Sequence, residues 1–321
     1  MASDVKGHEA KTQGEGPAVA AVPTPKLFGS ALAYKLVRFS LIGLLLVGVG
    51  IMLIPFAQRV KFSIESVTAA DEYQAAVDEL DEAMVEAQWI LAQEYNRARA
   101  YNRSHGTNTI IDPFRDDIVT MEVNAEYWSL VNPLGNGMMG YIDIPKIGER
   151  LPIYHGTDND VLAMGVGHLQ GTSLPVGGAS THCVLSGHRG LAEAKIFTDL
   201  DQMEVGDVVS LHVLNHDMSY EVDKIDVCLP EEISLIDIVA GEDLLTLVTC
   251  TPYAVNTHRL LVRGHAVPYV ETSMPETTAL RFAGQNGVWL VIAATAVVLV
   301  VLLVAWRRGK ASRKAETSKS A

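Results

Sequence analysis

Two stretches of the chain hold no charged residue for about twenty positions each: 39–57 (FSLIGLLLVGVGIMLIPFA) and 287–306 (GVWLVIAATAVVLVVLLVAW). Either can cross a hydrocarbon core of ~30 Å as a helix, and a helix that is apolar all round for that length belongs in a membrane or a large core. Both are expected as transmembrane helices. A cleaved leader competes for the first stretch. Its apolar run exceeds that of an ordinary signal peptide, however, and Pro55-Phe56-Ala57-Gln58 is a poor cleavage site.

Between these stretches the pattern changes once more. Residues 68–100 contain neither Gly nor Pro, and Tyr73, Val77, Leu80, Met84, Ala87 and Leu91 recur at steps of four and three. That period makes one apolar stripe on a helix. Such a stripe packs on its own domain more often than it forms a coiled coil. After Ser104-His105-Gly106 the helical period gives way to short β-branched runs at 139–144, 151–154, 182–186, 208–213, 220–228, 244–249 and 259–266, with Gly, Pro, Asn and Asp between them. They predict a mainly β, mostly antiparallel domain closed into a barrel, with short helices or turns at 156–169 and 231–239. The expected order is a tail (1–38), a span (39–57), a helical segment (58–106), a short connecting segment (107–120) and the barrel (121–270). A polar linker (271–286), a second span (287–306) and a basic tail (307–321) follow. No internal repeat is present.

Charge then orients the chain. The formal net charge is −13, while residues 1–39 carry +2 and residues 307–321 carry +5, leaving −20 for residues 40–306. Basic flanks stay in the cytoplasm, so both termini are expected inside and the barrel outside, with the basic tail anchoring the topology at an anionic leaflet. An acidic exterior repels a phosphate backbone, which argues against a nucleic-acid partner. Three cysteines, Cys183, Cys228 and Cys250, leave at least one thiol unpaired even if two bridge. No CxxC or HxxxH spacing supports zinc, and neither a metal nor a cofactor is expected.

The chemistry gathers in two places. In 245–264 (LTLVTCTPYAVNTHRLLVRG) an apolar strand ends at Cys250, Pro252 breaks the ladder, and a second strand opens with Arg259. This sets a thiol at a strand end with a guanidinium on the neighbouring strand. Upstream, a strand ends in Ser186-Gly187-His188-Arg189-Gly190, where the glycines let a turn present His188 at a sheet edge.

These residues together resemble the sortases, whose marks are a strand-end TLxTC cysteine, an upstream GH histidine and an arginine soon after the cysteine. The resemblance covers 138–265 and includes GYIDIPKIGERLPIYHGTD. Two spans, the long helix before the barrel and Asp112-Pro113-Phe114 look like the pilin-polymerising class C branch, in which a DPF- or DPW-type lid plugs the site. The resemblance implies a closed sortase-type barrel and a thioester reaction. Cys250 would attack the Thr–Gly carbonyl of an LPxTG-type sorting signal, and a pilin lysine amine would then take the acyl group. A thiol of ordinary pKa ~8.5 is mostly protonated at neutral pH, so a nearby cation helps. His188 could supply that charge and shuttle protons, and Arg259 suits an oxyanion or the substrate backbone. The implied partners are LPxTG-bearing pilins or surface proteins and the bilayer.

Other readings stay in view. A housekeeping enzyme that anchors proteins to a cell-wall precursor would have a lid-free site and a single span. A thiol hydrolase would pass the acyl group to water, and a non-enzymatic adhesin or sensor would need no reactive thiol. Cys183 and Cys228 sit inside strand runs, as core residues or at most bridged to each other. His182, His258 and His265 are expected to be structural or exposed, and Arg189 and Arg263 to form ion pairs.

Overall fold

A computed structural model describes residues 31–104, 114, 125–230, 232–271 and 274. The chain divides into two units, residues 1–52 and 53–321. The described part of the first is helical, and its apolar side chains, among them Leu41, Leu44 and Val47, are exposed. They belong to α1 (Ala31–Asp78), the one helix among the described residues that is long and apolar enough to cross a membrane. Residues 287–306 lie outside the described residues, as do both tails.

The helical segment is two helices rather than one. Asp81 ends the turn after α1 and caps α2 (Glu82–Ser104), its carboxylate accepting from the Ala83 N–H at 2.8 Å. This break changes which face is buried. Tyr73 and Val77 are buried and Leu80 is packed against the core, as the stripe predicts. Beyond the cap Val85, Trp89, Ala92 and Asn96 turn inward, while Met84, Ala87 and Leu91 face solvent. A stripe read across a turn keeps no phase, and this half of the expectation is corrected.

Both helices are stitched to the barrel by polar contacts. The Tyr73 hydroxyl donates to the Met139 carbonyl (2.8 Å) and accepts from the Leu214 N–H (3.2 Å). Asn96 pairs with both backbone groups of Leu174 (3.0 and 2.8 Å), and Arg59 donates to the Ala192 carbonyl (2.8 Å).

After α3 (Ala125–Ser129) come β1 (Met138–Ile144), β2 (Glu149–His155), α4 (Asn159–Met164), β3 (Val166–His168) and β4 (Thr181–Ser186). They are followed by β5 (Val208–Val213), β6 (His216–Cys228), β7 (Asp243–Thr251) and β8 (His258–Val267). The eight strands close in the order β1-β2-β3-β4-β7-β8-β6-β5. Seven match the expected runs. The eighth, β3, lies inside 156–169, where only helix or turn was expected; three residues are too few to show a period. The pairs β2–β3 and β4–β7 are parallel and the others antiparallel.

Alternation fills the barrel. Ile142, Ile144, Leu151, Leu185, Leu245 and Leu247 are buried in one core, joined by Phe197 from the loop after β4. One charged cluster is built into this wall. Asp143 accepts two bonds from Arg150 (2.8 and 2.7 Å) and lies 3.4 Å from His212, whose other nitrogen meets Asp217 at 2.6 Å. Burial alone would lower the His212 pKa, but the two carboxylates outweigh it and hold it above the ordinary value. A folded-state pKa raised above the unfolded one adds stability below the unfolded value, and this is lost as pH rises through the folded value. His212→Gln should therefore lower the thermal midpoint more at pH 5.5 than at pH 9. A loss of equal size at both ends would refute the coupling.

Candidate active site

The register of three strands assembles the site. β4 and β7 run parallel with Ser186 opposite Val248. The pairing continues past the end of β4. The Gly187 N–H donates to the Val248 carbonyl (3.1 Å), and the Thr249 hydroxyl donates to the Gly187 carbonyl (2.7 Å). His188 thereby falls level with Cys250. One strand further, β8 places Arg259 opposite Cys250. In-register neighbours point to the same face, so the three side chains form a row on the outside of the barrel. Leu245 and Leu247 fill the inside and Val248 belongs to the outer patch, so alternation puts Cys250 on the outer face too.

Each member of the row has a local reason for its position. A Cβ on Gly187 would lie 2.7 Å from the Phe197 ring and 2.8 Å from Ile196, so only glycine lets the chain reach His188 along this path. Gly190 has φ +86° and lies under Tyr253, whose ring would be 3.2 Å from a Cβ there. Between them Arg189 bonds the Thr198 carbonyl (3.2 Å), the Thr251 hydroxyl (3.1 Å) and the Asp201 carboxylate. It ties the histidine loop to the residue after Cys250. Arg259 is 8% exposed and Cys250 8%, so charge and thiol both sit at a nearly dry surface. The guanidinium donates to the carbonyls of Asn256 (3.2 Å) and His258 (3.1 Å), which keeps its fork in place.

A ring covers the row. Phe114 stands 5.9 Å from the His188 ring and 5.2 Å from the Arg259 guanidinium carbon. It packs on Leu169, Val184, Cys228, Ile236, Val248 and Leu261, an apolar patch on the outer face of the barrel. Asp112 lies outside the described residues. Burial pulls the His188 pKa below its ordinary value, which favours the neutral imidazole. The sequence reading gave His188 the cation's task, but in this covered arrangement Arg259 is the permanent charge beside Cys250.

Comparisons with known proteins give the family. The family model for the sortase domain matches residues 142–267. A crystal structure of sortase C from Streptococcus pneumoniae is 39% identical, with a TM-score of 0.56, over 64% of this chain and 100% of that one. A sortase C1 from Streptococcus agalactiae is 43% identical, with a TM-score of 0.56, over 63% of this chain and 100% of that one. This chain belongs to the sortase family. Among curated relatives, Sortase D of Bacillus subtilis is 34% identical over 115 residues, or 36% of this chain and 55% of that protein. The chain thus spans somewhat over half the length of the curated sortases it matches.

The remaining candidates take supporting places in this sortase. Cys183 is buried in the barrel core, where burial raises its thiol pKa well above normal. Cys228 is in register with Arg259 on the far side from Cys250, and no disulfide joins the three. His182 bonds the Asp237 carbonyl (2.8 Å) and the Thr246 hydroxyl (2.7 Å), and burial pushes its pKa down to about 4. His258 contacts the Thr257 hydroxyl, and Arg263 makes a paired bond to Asp223. Sequence reasoning missed the apolar patch around Val184, Val248 and Leu261. The signal was partial: Val184 and Val248 are apolar at outward positions of β4 and β7, among the polar His182, Ser186 and Thr246.

Gly187→Ala tests how tightly this path is built. Overpacking against Phe197 and Ile196 should cost about 1–3 kcal/mol of unfolding free energy. Denaturant titration of the full chain measures it, and wild-type stability would show that the path has slack.

Proposed function

We propose that this sortase is a cysteine transpeptidase of the class C kind, joining pilin subunits through an acyl-enzyme on Cys250. The observation that carries the reading is the row of His188, Cys250 and Arg259 beneath Phe114. A thiol, a proton carrier and a fixed cation on adjacent strands are the parts that acyl transfer through a thioester needs.

The Cys250 sulfur attacks the threonine carbonyl carbon of an LPxTG-type signal. The carbon–sulfur bond forms, the Thr–Gly carbon–nitrogen bond breaks, and the thiol proton passes to the neutral His188. The imidazolium then gives that proton to the departing glycine amine. A lysine amine of the next pilin then attacks the thioester carbon: the carbon–nitrogen bond forms, the carbon–sulfur bond breaks, and the amine proton passes to the same imidazole and from it to the departing Cys250 sulfur. Arg259 faces the carbonyl oxygen, where charge builds in both steps. Its guanidinium is held by two backbone carbonyls, so its orientation precedes the substrate.

Phe114, together with Asp112 and Pro113, serves as the lid in this reading. The ring fills the apolar patch that a sorting signal would occupy, and a covered site favours the class C kind over a housekeeping enzyme. Both sequence spans anchor the chain, with the barrel outside the cell and both termini in the cytoplasm. The apolar α1 supports the first span.

Two measurements on the full chain in detergent test the reading. Incubation with a sorting peptide should leave an acyl mass on Cys250 and none on Cys183 or Cys228, and Cys250→Ala should lose all transfer. An active Cys250→Ala variant would end the assignment. Phe114→Ala should speed alkylation of Cys250 by a small thiol reagent, because the competent fraction scales apparent reactivity. An unchanged alkylation rate would remove the lid.

A further inference from the structure

One polar atom beside the site has no task in this mechanism. The Ser186 hydroxyl oxygen is buried and has no hydrogen-bond partner among the described residues, and the residue is 0% exposed. A buried hydroxyl without a partner costs about 1–3 kcal/mol, so a fold keeps one only against some return. Ser186 stands two residues before His188 and opposite Val248, which stands two before Cys250. Alternation aims its side chain to the outer face, with Val184 and Val248 of the patch beneath Phe114. On its other side β3 places Gly167, where a Cβ would be 2.3 Å from the Gly156 carbonyl oxygen and 3.0 Å from Leu162 of α4. That wall is tight, and Ser186 is the lone unsatisfied hydroxyl on an otherwise apolar floor among the described residues.

We propose that Ser186 is a substrate-binding residue whose hydroxyl donates to a backbone carbonyl of the sorting signal once the lid has left. This rests on the sortase reading above and adds a contact to it. A strand rises ~3.3 Å per residue, so the Ser186–Val248 row lies ~6.6 Å from the row of His188 and Cys250. An extended peptide with its scissile carbonyl over Cys250 therefore brings a residue two positions away over Ser186. The acyl half stays bound through both steps while the amines exchange, so the apolar patch holds that half. The carbonyl concerned is the one two residues before the scissile carbonyl, which in an LPxTG signal belongs to the proline. Proline has no N–H to offer, and its carbonyl is the backbone group left to pair.

The test uses the full chain in detergent and two peptides, one natural and one with an ester replacing the amide after the proline. An ester carbonyl is a weaker acceptor. Ser186→Ala should raise KM for the natural peptide about two- to tenfold, with kcat little changed, as loss of one neutral hydrogen bond requires. The ester should raise KM in the wild type and have little further effect in Ser186→Ala. The thermal midpoint of the free variant should not fall, because the hydroxyl bonds nothing among the described residues. An unchanged KM, an ester penalty that persists in Ser186→Ala, or a lowered midpoint with a matching loss of kcat would each overturn the proposal. A wild type that cleaves neither peptide overturns the sortase reading along with it. Cleavage by the wild type without any Ser186 effect overturns this contact alone.

Discussion

The parallel pairing of β4 with β7 is the constraint on which the rest of the site depends. It alone brings His188 level with Cys250, residues 62 positions apart in the chain. Side chains alternate along a strand, so a slip of one residue would send these groups into the barrel and Leu185 and Leu247 out of it. The inner core therefore fixes the register of the outer site. Cys183, Leu185, Leu245 and Leu247 are buried on the inside, and moving any of them would cost hydrophobic contact. Beyond the last strand bond the Thr249–Gly187 and Arg189–Thr251 contacts carry the same register up to the histidine.

A second constraint follows from where the row sits. The outer face of an antiparallel sheet is commonly wet, but here it is apolar and covered. Burying a guanidinium is costly unless its donors and its charge are met. The carbonyls of Asn256, in the turn before β8, and of His258, the first residue of β8, accept from one nitrogen of Arg259, and the face of Phe114 meets the charge. The turn between β7 and β8 is thus part of the site. It holds the orientation of the cation beside Cys250.

What the sequence made legible and what it hid divide along the range of the interactions. Cys250, Arg259 and His188 were readable because each follows a local signal: a strand end, a strand start and a glycine-flanked turn. Seven of the eight strands were readable from alternation and turn residues. The break at Asp81 was hidden because a four-and-three step continues in sequence through a turn that rotates the helix in space. The role of Phe114 rested on resemblance alone, since nothing near it in the chain says which surface it covers. Ser186 stayed hidden for a different reason. A serine before a glycine reads as turn chemistry, and only the closed barrel shows that its hydroxyl is buried and, among the described residues, unpaired.

Covering the site changes its chemistry as well as its access. His188 loses basicity because burial disfavours the imidazolium, and Phe114 is one of the groups standing over it. A neutral imidazole leaves the Cys250 thiol without a second cation, so in the proposed reading the covered site is both closed to peptide and less prone to stray alkylation or oxidation. Departure of the ring would readmit water to His188 and restore its ability to hold a proton. In the same step it would open the apolar patch and remove one aromatic face from Arg259. The guanidinium keeps its two carbonyl partners throughout, because they belong to its own turn and the residue beside it. If Phe114 is the lid proposed above, one ring sets access, proton affinity and cation availability together, while the backbone frame of the row stays fixed. Coupling of this kind needs no second site. It needs only that the cover and the row of His188, Cys250 and Arg259 share one dry surface, which the outer face of β4, β7 and β8 supplies.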